Sequence, residues 1–437
     1  MSAASSSSDH SGSFSSTKTG QDGPRAIGDA NTERYDILTF FAQFVSILGH
    51  SPAAVDQVYL LMIFLDELTY QLPRERGSGR TSRVAVVKSE AILERGIYRH
   101  DKPILPELIA VKMTKASTIE GATSVDQTLL RSMATELRIL SNDTIRSHDN
   151  IITLLGICWQ QSNENQDVLL PVFVYETSEL GDLKTWLPEN KDIALGVQLD
   201  LCLGIARGLA CLHEAGVVHC DIKPDNILVV WQDDPKSSIV AKIIDFNIAV
   251  LFQDAPDRVP LPAGTSPWNS PEQMTSTFIY KGDLPKVDVY SLGVLLLNIL
   301  TVDCLNTILN FIATGGIEGQ TLLDFKLSGA LALNSGSLLG EFGLVSGPEV
   351  YTTHVGDFRR CWAKSSLLLF GALDGDLRHR TGSVAQIVDE LARINKDAEE
   401  YGLRDYTNRD LHIVARAAET LQMVTNPGEQ RCQVSNS

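Results

Sequence analysis

The chain lacks the paired cysteines of a disulfide framework. Its seven cysteines include no Cys-x-x-Cys pair, their number is odd, and several of them lie in apolar helical patterns. We therefore expect reduced and mostly buried thiols, as in a cytoplasmic, intracellular protein.

An excess of basic residues and a long apolar run are also absent. Lys and Arg total 37 against 54 Asp and Glu, a net charge of −17, which argues against nucleic acid or an anionic membrane as the main partner. The longest apolar run, residues 58–65, is far shorter than the roughly 20 residues that a membrane helix needs. The N-terminus has no charged region followed by an apolar core. We expect no membrane span, no secretory signal and no nucleic-acid partner.

Outside its central part, the chain has three regions. Residues 1–32 are rich in Ser, Thr, Gly and Asp, and we expect them to be disordered. Residues 33–74 are interpreted as a helical extension, with one helix ending near Gly49 and a second from Ser51 to about Leu72. Two interpretations stay open: a helical hairpin docked on the next domain, or a module that binds a regulatory partner or oligomerises. Residues 396–437 are interpreted as a C-terminal helix and a polar tail.

Residues 75–395 combine strands with helices, which predicts an α+β domain. Three strands are expected between residues 77 and 113, a helix over 126–140, and two more strands over 151–159 and 168–175. A mainly helical half follows. It includes a helix at 289–300 that is apolar all round, an irregular insertion over 314–348 and a helix over 383–394.

Two linked motifs carry the chemistry: His-Cys-Asp-Ile-Lys-Pro-Asp-Asn at 219–226 and Ile-Ile-Asp-Phe-Asn at 243–247. Asp221 can orient a hydroxyl and accept its proton, and Lys223 can neutralise charge on a phosphoryl group in transit. Asn226 and Asp245 supply hard oxygen ligands of the kind that suit magnesium.

These motifs resemble the catalytic and metal loops of eukaryotic-type protein kinases, H-R-D-x-K-x-x-N and D-F-G. The resemblance extends over residues 77–394 through the glycine-rich stretch 77–84, the strand Ile-Ala-Val-Lys at 109–112 and the segment Gly-Thr-Ser-Pro-Trp-Asn-Ser-Pro-Glu at 264–272. It implies a bilobal fold, with a small antiparallel β lobe holding one main helix (75–176) and a larger, mainly helical lobe (177–395).

The resemblance also implies ATP and Mg²⁺ as cofactors and assigns roles to single residues. Lys112, held by Glu136, would bind the α- and β-phosphates, and Thr265 would contact Asp221 and Lys223. The residues expected around the nucleotide are Gly77, Gly79, Val84, Ala110, Tyr175, Glu176, Ser178 and Leu228. A pair between Glu272 and Arg380, and a hold of Asp288 on the catalytic-loop backbone, are implied as structural features.

The form of the catalytic segments predicts the phosphate acceptor. Lys223 with Pro224, together with Gly264 and Thr265, resembles the serine/threonine form of the family. The expected substrates are therefore proteins bearing Ser or Thr hydroxyls.

Three positions depart from the family pattern: Ser82 stands at the third glycine, Cys220 at the arginine of H-R-D and Asn247 at the glycine of D-F-G. Where it is present, that arginine binds a phosphate on the activation segment. Residues 247–264 here contain no Ser, Thr or Tyr, so we expect activity without phosphorylation in that segment, and control by the flanking helices.

Asn247 fits the glycine position if that position requires a positive φ, because asparagine enters the left-handed region more readily than other residues. The departures leave an alternative open, a pseudokinase scaffold that binds nucleotide without transfer. A small-molecule phosphotransferase with the same fold is a third hypothesis, and the segment 264–272 with Arg380 argues for a protein substrate instead.

Overall fold

The computed structural model of the protein describes residues 59–64, 75–78, 82–90, 105–114, 127–161, 169–232, 238–301, 321–328, 364–365, 367–405 and 407. The tail 1–32, the first helix of the extension and the C-terminal helix beyond residue 407 lie outside these ranges. Where the described ranges overlap the predicted strands and helices of 75–395, the elements agree in type.

One six-stranded sheet forms the N-terminal part, in the order β1-β5-β6-β4-β3-β2. Its pairs are antiparallel except for β1 with β5, which run parallel. In β3 the buried residues alternate with half-buried or exposed ones, as expected when one face of a strand covers a core. The strands are Tyr59–Phe64 (β1), Glu75–Ser78 (β2), Ser82–Lys88 (β3), Leu108–Thr114 (β4), Leu154–Gln161 (β5) and Leu169–Tyr175 (β6).

Strand β1 corrects the sequence interpretation of residues 33–74. A helix was expected from Ser51 to about Leu72, but Tyr59–Phe64 is a strand whose Tyr59 lies opposite Gly156 of β5. Periodicity cannot separate a buried strand from a buried helix where every position is apolar, as in Tyr-Leu-Leu-Met-Ile-Phe. The backbone edge of β5 offers hydrogen-bonding groups, and pairing with them stabilises the strand.

Two helices follow β4. Helix α1 is Gln127–Leu140, and its buried residues include Leu130, Met133 and Leu137. Helix α2 is the short Asp143–Arg146, which begins after Asn142 because the Asn142 side chain accepts from the backbone N–H groups of residues 144 and 145.

The larger part is mainly helical and contains three two-stranded sheets, β7 with β10, β8 with β9 and β11 with β12. Helix α4 lies in its centre and packs against α6, α8 and β9. The helices are Leu183–Glu189 (α3), Leu195–Glu214 (α4), Pro271–Thr275 (α5), Pro285–Leu300 (α6), Leu322–Leu327 (α7) and Val384–Glu400 (α8). The strands are Val217–Val218 (β7), Ile227–Trp231 (β8), Ile239–Ile243 (β9), Val250–Leu251 (β10), Arg258–Pro260 (β11) and Phe278–Tyr280 (β12). Two turns of 3₁₀-helix are Pro224–Asn226 and Lys281–Asp283.

Helix α4 is long and apolar enough to cross a membrane by length and composition, and it is the one such helix among the described residues. Within the fold, 78% of its most apolar window is buried. Burial against α6 and α8 therefore accounts for its apolar character. The expected absence of a membrane span stays a prediction for the whole protein.

Close packing of α4 against the chain that enters β5 generates a test. A Cβ at Gly208 would lie 2.7 Å from the Asn150 carbonyl oxygen, which also accepts from Ile243 N at 2.9 Å. We expect Gly208→Ala to lower the free energy of unfolding by about 1–3 kcal/mol, because backbone must shift to admit the methyl group. Urea titration followed by circular dichroism measures this.

The matched control is Gly282→Ala, since a Cβ there would meet nothing within 4 Å. We expect its unfolding free energy to stay within about 0.5 kcal/mol of the wild type. Equal losses in the two variants would contradict the packing argument for Gly208.

Candidate active site

Lys112 lies on the face of β4 opposite to that of Ile109, Val111 and Met113, which are buried in the sheet core. Its Nζ donates to both carboxylate oxygens of Glu136 on α1, at 3.0 and 2.8 Å. The structure therefore brings together the Lys–Glu pair that the sequence predicts.

The same ammonium joins β4 to the second motif. Lys112 Nζ lies 3.0 Å from Asp245 Oδ1. Burial alone would lower the pKa of Lys112, but the carboxylates of Glu136 and Asp245 raise it above its usual value. For Asp245, burial works to raise the pKa, and the adjacent Lys112 outweighs it, so that the pKa lies below its usual value. Both groups are therefore charged over the neutral pH range.

Tyr175 closes the inner side of the cluster. Its hydroxyl donates to Glu136 Oε1 at 2.7 Å, and burial followed by the Glu136 charge raises the pKa of Tyr175 well above its usual value. Tyr175 therefore stays protonated and gives the Glu136 carboxylate a second donor beside Lys112.

Asn247 also contacts this cluster. The sequence did not predict this contact. Its Oδ1 accepts from Lys112 Nζ at 3.0 Å, and its backbone oxygen accepts from Ser132 Oγ on α1 at 2.6 Å. Among the described non-glycine residues, positive φ occurs at Cys220 and Asp245. A left-handed backbone therefore does not explain Asn247, and the contact with Lys112 does give its side chain a role.

The catalytic-loop residues meet around Asp221. Lys223 Nζ donates to Asp221 Oδ2 at 2.6 Å and to Thr265 Oγ1 at 2.7 Å, so it links the loop to the segment 264–272. Asn226 Nδ2 donates to the Asp221 backbone oxygen at 2.8 Å and to Oδ2 at 3.2 Å. Asp221 Oδ1 is buried and has no hydrogen-bond partner within the described part of the chain. A buried carboxylate oxygen without a protein partner is costly, and such groups are uncommon outside functional sites.

Asp288 of α6 anchors the backbone of the loop that contains Asp221. Its carboxylate accepts from the backbone N–H groups of His219 at 2.7 Å and Cys220 at 2.8 Å, and lies 2.9 Å from His213 Nε2. Cys220 has a φ of 65°, which is strained for a non-glycine residue and persists where surrounding contacts fix it. This is the role that the sequence implied for Asp288.

Asn226 and Asp245 lie at the same end of the β8–β9 ladder. Ile244 N donates to the Asn226 oxygen at 3.0 Å, and Asp245 is the next residue. One amide oxygen and one carboxylate suit Mg²⁺, which takes few protein ligands and completes its shell with water and phosphate oxygens. No group of three or more His, Cys, Asp or Glu that could hold a metal occurs among the residues that the structure describes. The donor set fits magnesium better than zinc.

The residues expected around the nucleotide lie on several different strands or near them. Val84 pairs with Lys112 across β3 and β4, and Ala110 and Leu228 pack at the margin of the core. Gly77 lies in β2, and Gly79 lies outside the described residues.

The side chains of Glu176 and Ser178 anchor the segment after β6. Glu176 Oε1 accepts from Thr153 N and from Lys242 Nζ, both at 2.7 Å. Ser178 Oγ donates to the Val229 carbonyl. These contacts tie the connection between the two lobes to β8 and β9.

Two cations support the segment 264–272. Arg380 pairs with Glu272, as the sequence predicted. Lys326 of α7 was not predicted, because it lies in the stretch that sequence interpretation treated as an insertion. Its Nζ donates to the Pro267 carbonyl at 2.6 Å and to the Asn269 carbonyl. Burial lowers the pKa of Lys326 to about 7.

Comparison with known proteins agrees with this geometry. Residues 102–307 match the family model of the protein kinase domain. The G-type lectin S-receptor-like serine/threonine-protein kinase LECRK1 of Oryza sativa subsp. japonica is 38% identical over 157 residues, which are 35% of this chain and 17% of that protein. The LRR receptor-like serine/threonine-protein kinase RGI5 of Arabidopsis thaliana is 34% identical over 231 residues, 50% of this chain and 19% of that protein.

The chain thus spans less than a fifth of the length of each of these relatives. The match to the protein kinase domain implies the bilobal α+β fold, and both relatives are named as serine/threonine-protein kinases. The cytoplasmic location stays a prediction.

The contact between Asn247 and Lys112 generates a double-mutant test. We expect Asn247→Ala to lower the free energy of unfolding by about 1–2 kcal/mol, because a hydrogen bond to a charged group is lost. In a Lys112→Met background the same change is expected to cost almost nothing, since the donor is already absent. Chemical denaturation of the four proteins in the cycle measures the coupling.

Ser132→Ala serves as the control for this cycle. It removes the contact with the Asn247 backbone oxygen and leaves the carboxamide in place. Its effect should be the same in the wild type and in the Lys112→Met background. If Asn247→Ala were equally costly in both backgrounds, the carboxamide would act through some group other than Lys112.

Proposed function

We propose that the protein is an ATP- and Mg²⁺-dependent protein kinase that transfers the γ-phosphoryl group to Ser and Thr hydroxyls of protein substrates. The observation that carries the proposal is the unpartnered buried Oδ1 of Asp221, beside a lysine that bridges it to Thr265. Because no hydrogen-bond donor among the described residues occupies Oδ1, this oxygen keeps the capacity to accept a proton from a substrate hydroxyl.

Each side chain has one task in this mechanism. Asp221 orients the acceptor hydroxyl and takes its proton, and Lys223 shifts its donors toward the transferring phosphoryl group. Lys112, kept charged by Glu136, binds the α- and β-phosphates. Asn226 and Asp245 would hold magnesium, whose charge offsets that of the phosphate oxygens. Catalysis of this kind consists of positioning and charge stabilisation, which need no covalent intermediate on the protein.

Two rival functions are less well supported. A pseudokinase scaffold needs no proton acceptor, whereas here Lys112, Asp221, Asn226 and Asp245 are all present and form two hydrogen-bonded pairs, Lys112 with Asp245 and Asn226 with Asp221. A small-molecule phosphotransferase needs no extended protein-docking segment, whereas residues 264–272 are held on both sides by buried cations.

The activation segment is held by contacts that need no phosphate. Strand β10 pairs with β7, and β11 pairs with β12. Cys220 is buried in an apolar cluster with residues of these strands and of α6: Val218, Val259, Leu261, Ile279, Leu284 and Val287. We propose that this apolar cluster replaces the phosphate-binding arginine of the family.

The chemistry of Cys220 supports this replacement. Burial, followed by the nearby charges of Asp288 and Asp221, raises the pKa of the Cys220 thiol well above its usual value. The side chain is therefore neutral and cannot attract a phosphate. Its contribution is hydrophobic burial, which adds to that of Val259 and Ile279.

The role of Asp221 is tested by Asp221→Asn with labelled ATP and magnesium, using dephosphorylated casein, the protein itself and a set of small hydroxyl compounds as acceptors. We expect transfer to protein to fall by at least about a hundred-fold, because the proton acceptor is lost. Nucleotide binding, measured by thermal shift, should persist.

The matched control is Asp225→Asn, in the same loop, where the carboxylate pairs with the exposed Lys184 at 2.6 Å. Its transfer rate should equal that of the wild type. Full transfer by Asp221→Asn would show that the Asp221 carboxylate is not the proton acceptor. Transfer by the wild type to small compounds alone would favour a small-molecule phosphotransferase.

The apolar cluster generates a second test. Treatment of the purified protein with a broad-specificity phosphatase should leave its transfer rate unchanged. Val259→Asp should lower the rate strongly, because a carboxylate would be buried among apolar side chains. Arg258→Ala, at the exposed neighbouring position, should retain most of the activity. A phosphate on Thr265 or Ser266 that raises activity would contradict the proposal.

A further inference from the structure

Lys326 is the least expected charged group in the larger lobe. It is fully buried, and among the described residues its Nζ hydrogen-bonds only to groups of the segment 264–272: the Pro267 carbonyl at 2.6 Å, the Asn269 carbonyl, and Asn269 Oδ1 at 3.4 Å. All of these acceptors are neutral. A buried lysine whose acceptors are all neutral costs free energy whenever it is charged, so its position calls for a reason beyond stability.

The acceptors of Lys326 lead directly to Thr265. Asn269 N and Trp268 N both donate to the Thr265 carbonyl, at 3.0 and 2.9 Å. The Asn269 side chain in turn donates to Ala263 O at 3.0 Å. The turn 265–269 is thus closed on itself by short hydrogen bonds, and its outer carbonyls point to the ammonium of α7.

Thr265 is the residue of this turn that reaches the catalytic pair, since its Oγ1 accepts from Lys223 at 2.7 Å. A continuous path of hydrogen bonds therefore runs from Lys326 through Asn269 and Thr265 to Lys223 and Asp221. Displacement of the turn would move both the Thr265 hydroxyl and the surface next to Asp221.

The aromatic ring of Tyr290 fixes the position of the ammonium. Lys326 Nζ lies 5.3 Å from the ring centroid, and the Arg380 guanidinium lies 4.8 Å from the same centroid. Arg380 forms an ion pair with Glu272, the last residue of the segment 264–272. The two cations thus share Tyr290 of α6 and hold the two ends of the stretch 267–272 against it.

We propose that Lys326 is a positioning residue for the protein substrate: it holds the turn 265–269 in the conformation that receives the segment around the acceptor hydroxyl. The proposal rests on the proposed kinase function, and it assigns to α7 a part in substrate binding and none in nucleotide binding. Its acceptors are carbonyls of the turn that contains Thr265, whereas Lys112 has other partners, Glu136, Asp245 and Asn247.

The test compares Lys326→Met and Lys326→Gln with the wild type. Methionine fills a similar volume and donates no hydrogen bond, whereas glutamine keeps a neutral donor. We expect the KM for dephosphorylated casein to rise roughly ten-fold in Lys326→Met, the loss of about one charge-assisted hydrogen bond, and less in Lys326→Gln. The KM for ATP should be unchanged in both. Lys396→Met, which removes an exposed lysine of α8, is the matched control and should change neither constant.

Hydrogen–deuterium exchange gives a readout that does not depend on catalysis. The amides of residues 268 and 269 should exchange faster in Lys326→Met, because the turn opens more often, while the amides of β4 and β8 keep their wild-type rates. If the wild type transfers no phosphate to any acceptor, the kinase proposal fails, and the exchange result still decides the role of Lys326.

Three outcomes would overturn the proposal for Lys326. The first is a folded Lys326→Met protein with unchanged exchange over 265–269. The second is an equal rise in the KM for ATP and for casein, which would indicate a general disturbance. The third is failure of both variants to fold, which would make Lys326 a residue of the global fold.

Discussion

The ammonium of Lys112 brings together the residues of the candidate active site that lie next to β4. It is almost fully enclosed, and an enclosed charge is tolerated only when opposite charges and acceptors surround it. Those partners come from α1 (Glu136) and from the stretch that follows the β8–β9 hairpin (Asp245 and Asn247), so two separate segments are drawn to one strand of the small sheet. The relative position of the two lobes is therefore coupled to the electrostatics of one side chain.

The larger lobe supplies rigid support for groups that lie on loops. Asp288 of the buried helix α6 fixes the backbone of the catalytic loop, and Tyr290 of the same helix lies between the two cations that hold the segment 264–272. Both residues lie on a helix that is buried on all sides. The loop residues of the candidate active site thus take their positions from a helix whose own position is set by core packing.

Sequence reasoning was most effective where chemistry fixes residue types at short spacing. The motifs around Asp221 and Asp245 predicted residues that lie close together, and the resemblance to the kinase family implied the pairs Lys112–Glu136 and Glu272–Arg380, which the structure contains. It failed at Tyr59–Phe64, where uniform apolarity hides the period of the element. It missed the contacts of Asn247 and Lys326 because no motif of the kinase family pairs either position with a partner. The roles of Asn247 and Lys326 follow from the residues that lie next to them in the folded protein.

The parallel strand β1 has a practical consequence for the design of truncated fragments of this protein. The family match begins at residue 102 and the sequence resemblance at residue 77, yet Tyr59–Phe64 completes the sheet beside β5. A recombinant fragment cut at either of those boundaries would leave the β5 backbone bare along one side, open to pairing with another chain in the expression host. Fragments for crystallisation or screening should therefore begin well upstream of residue 59.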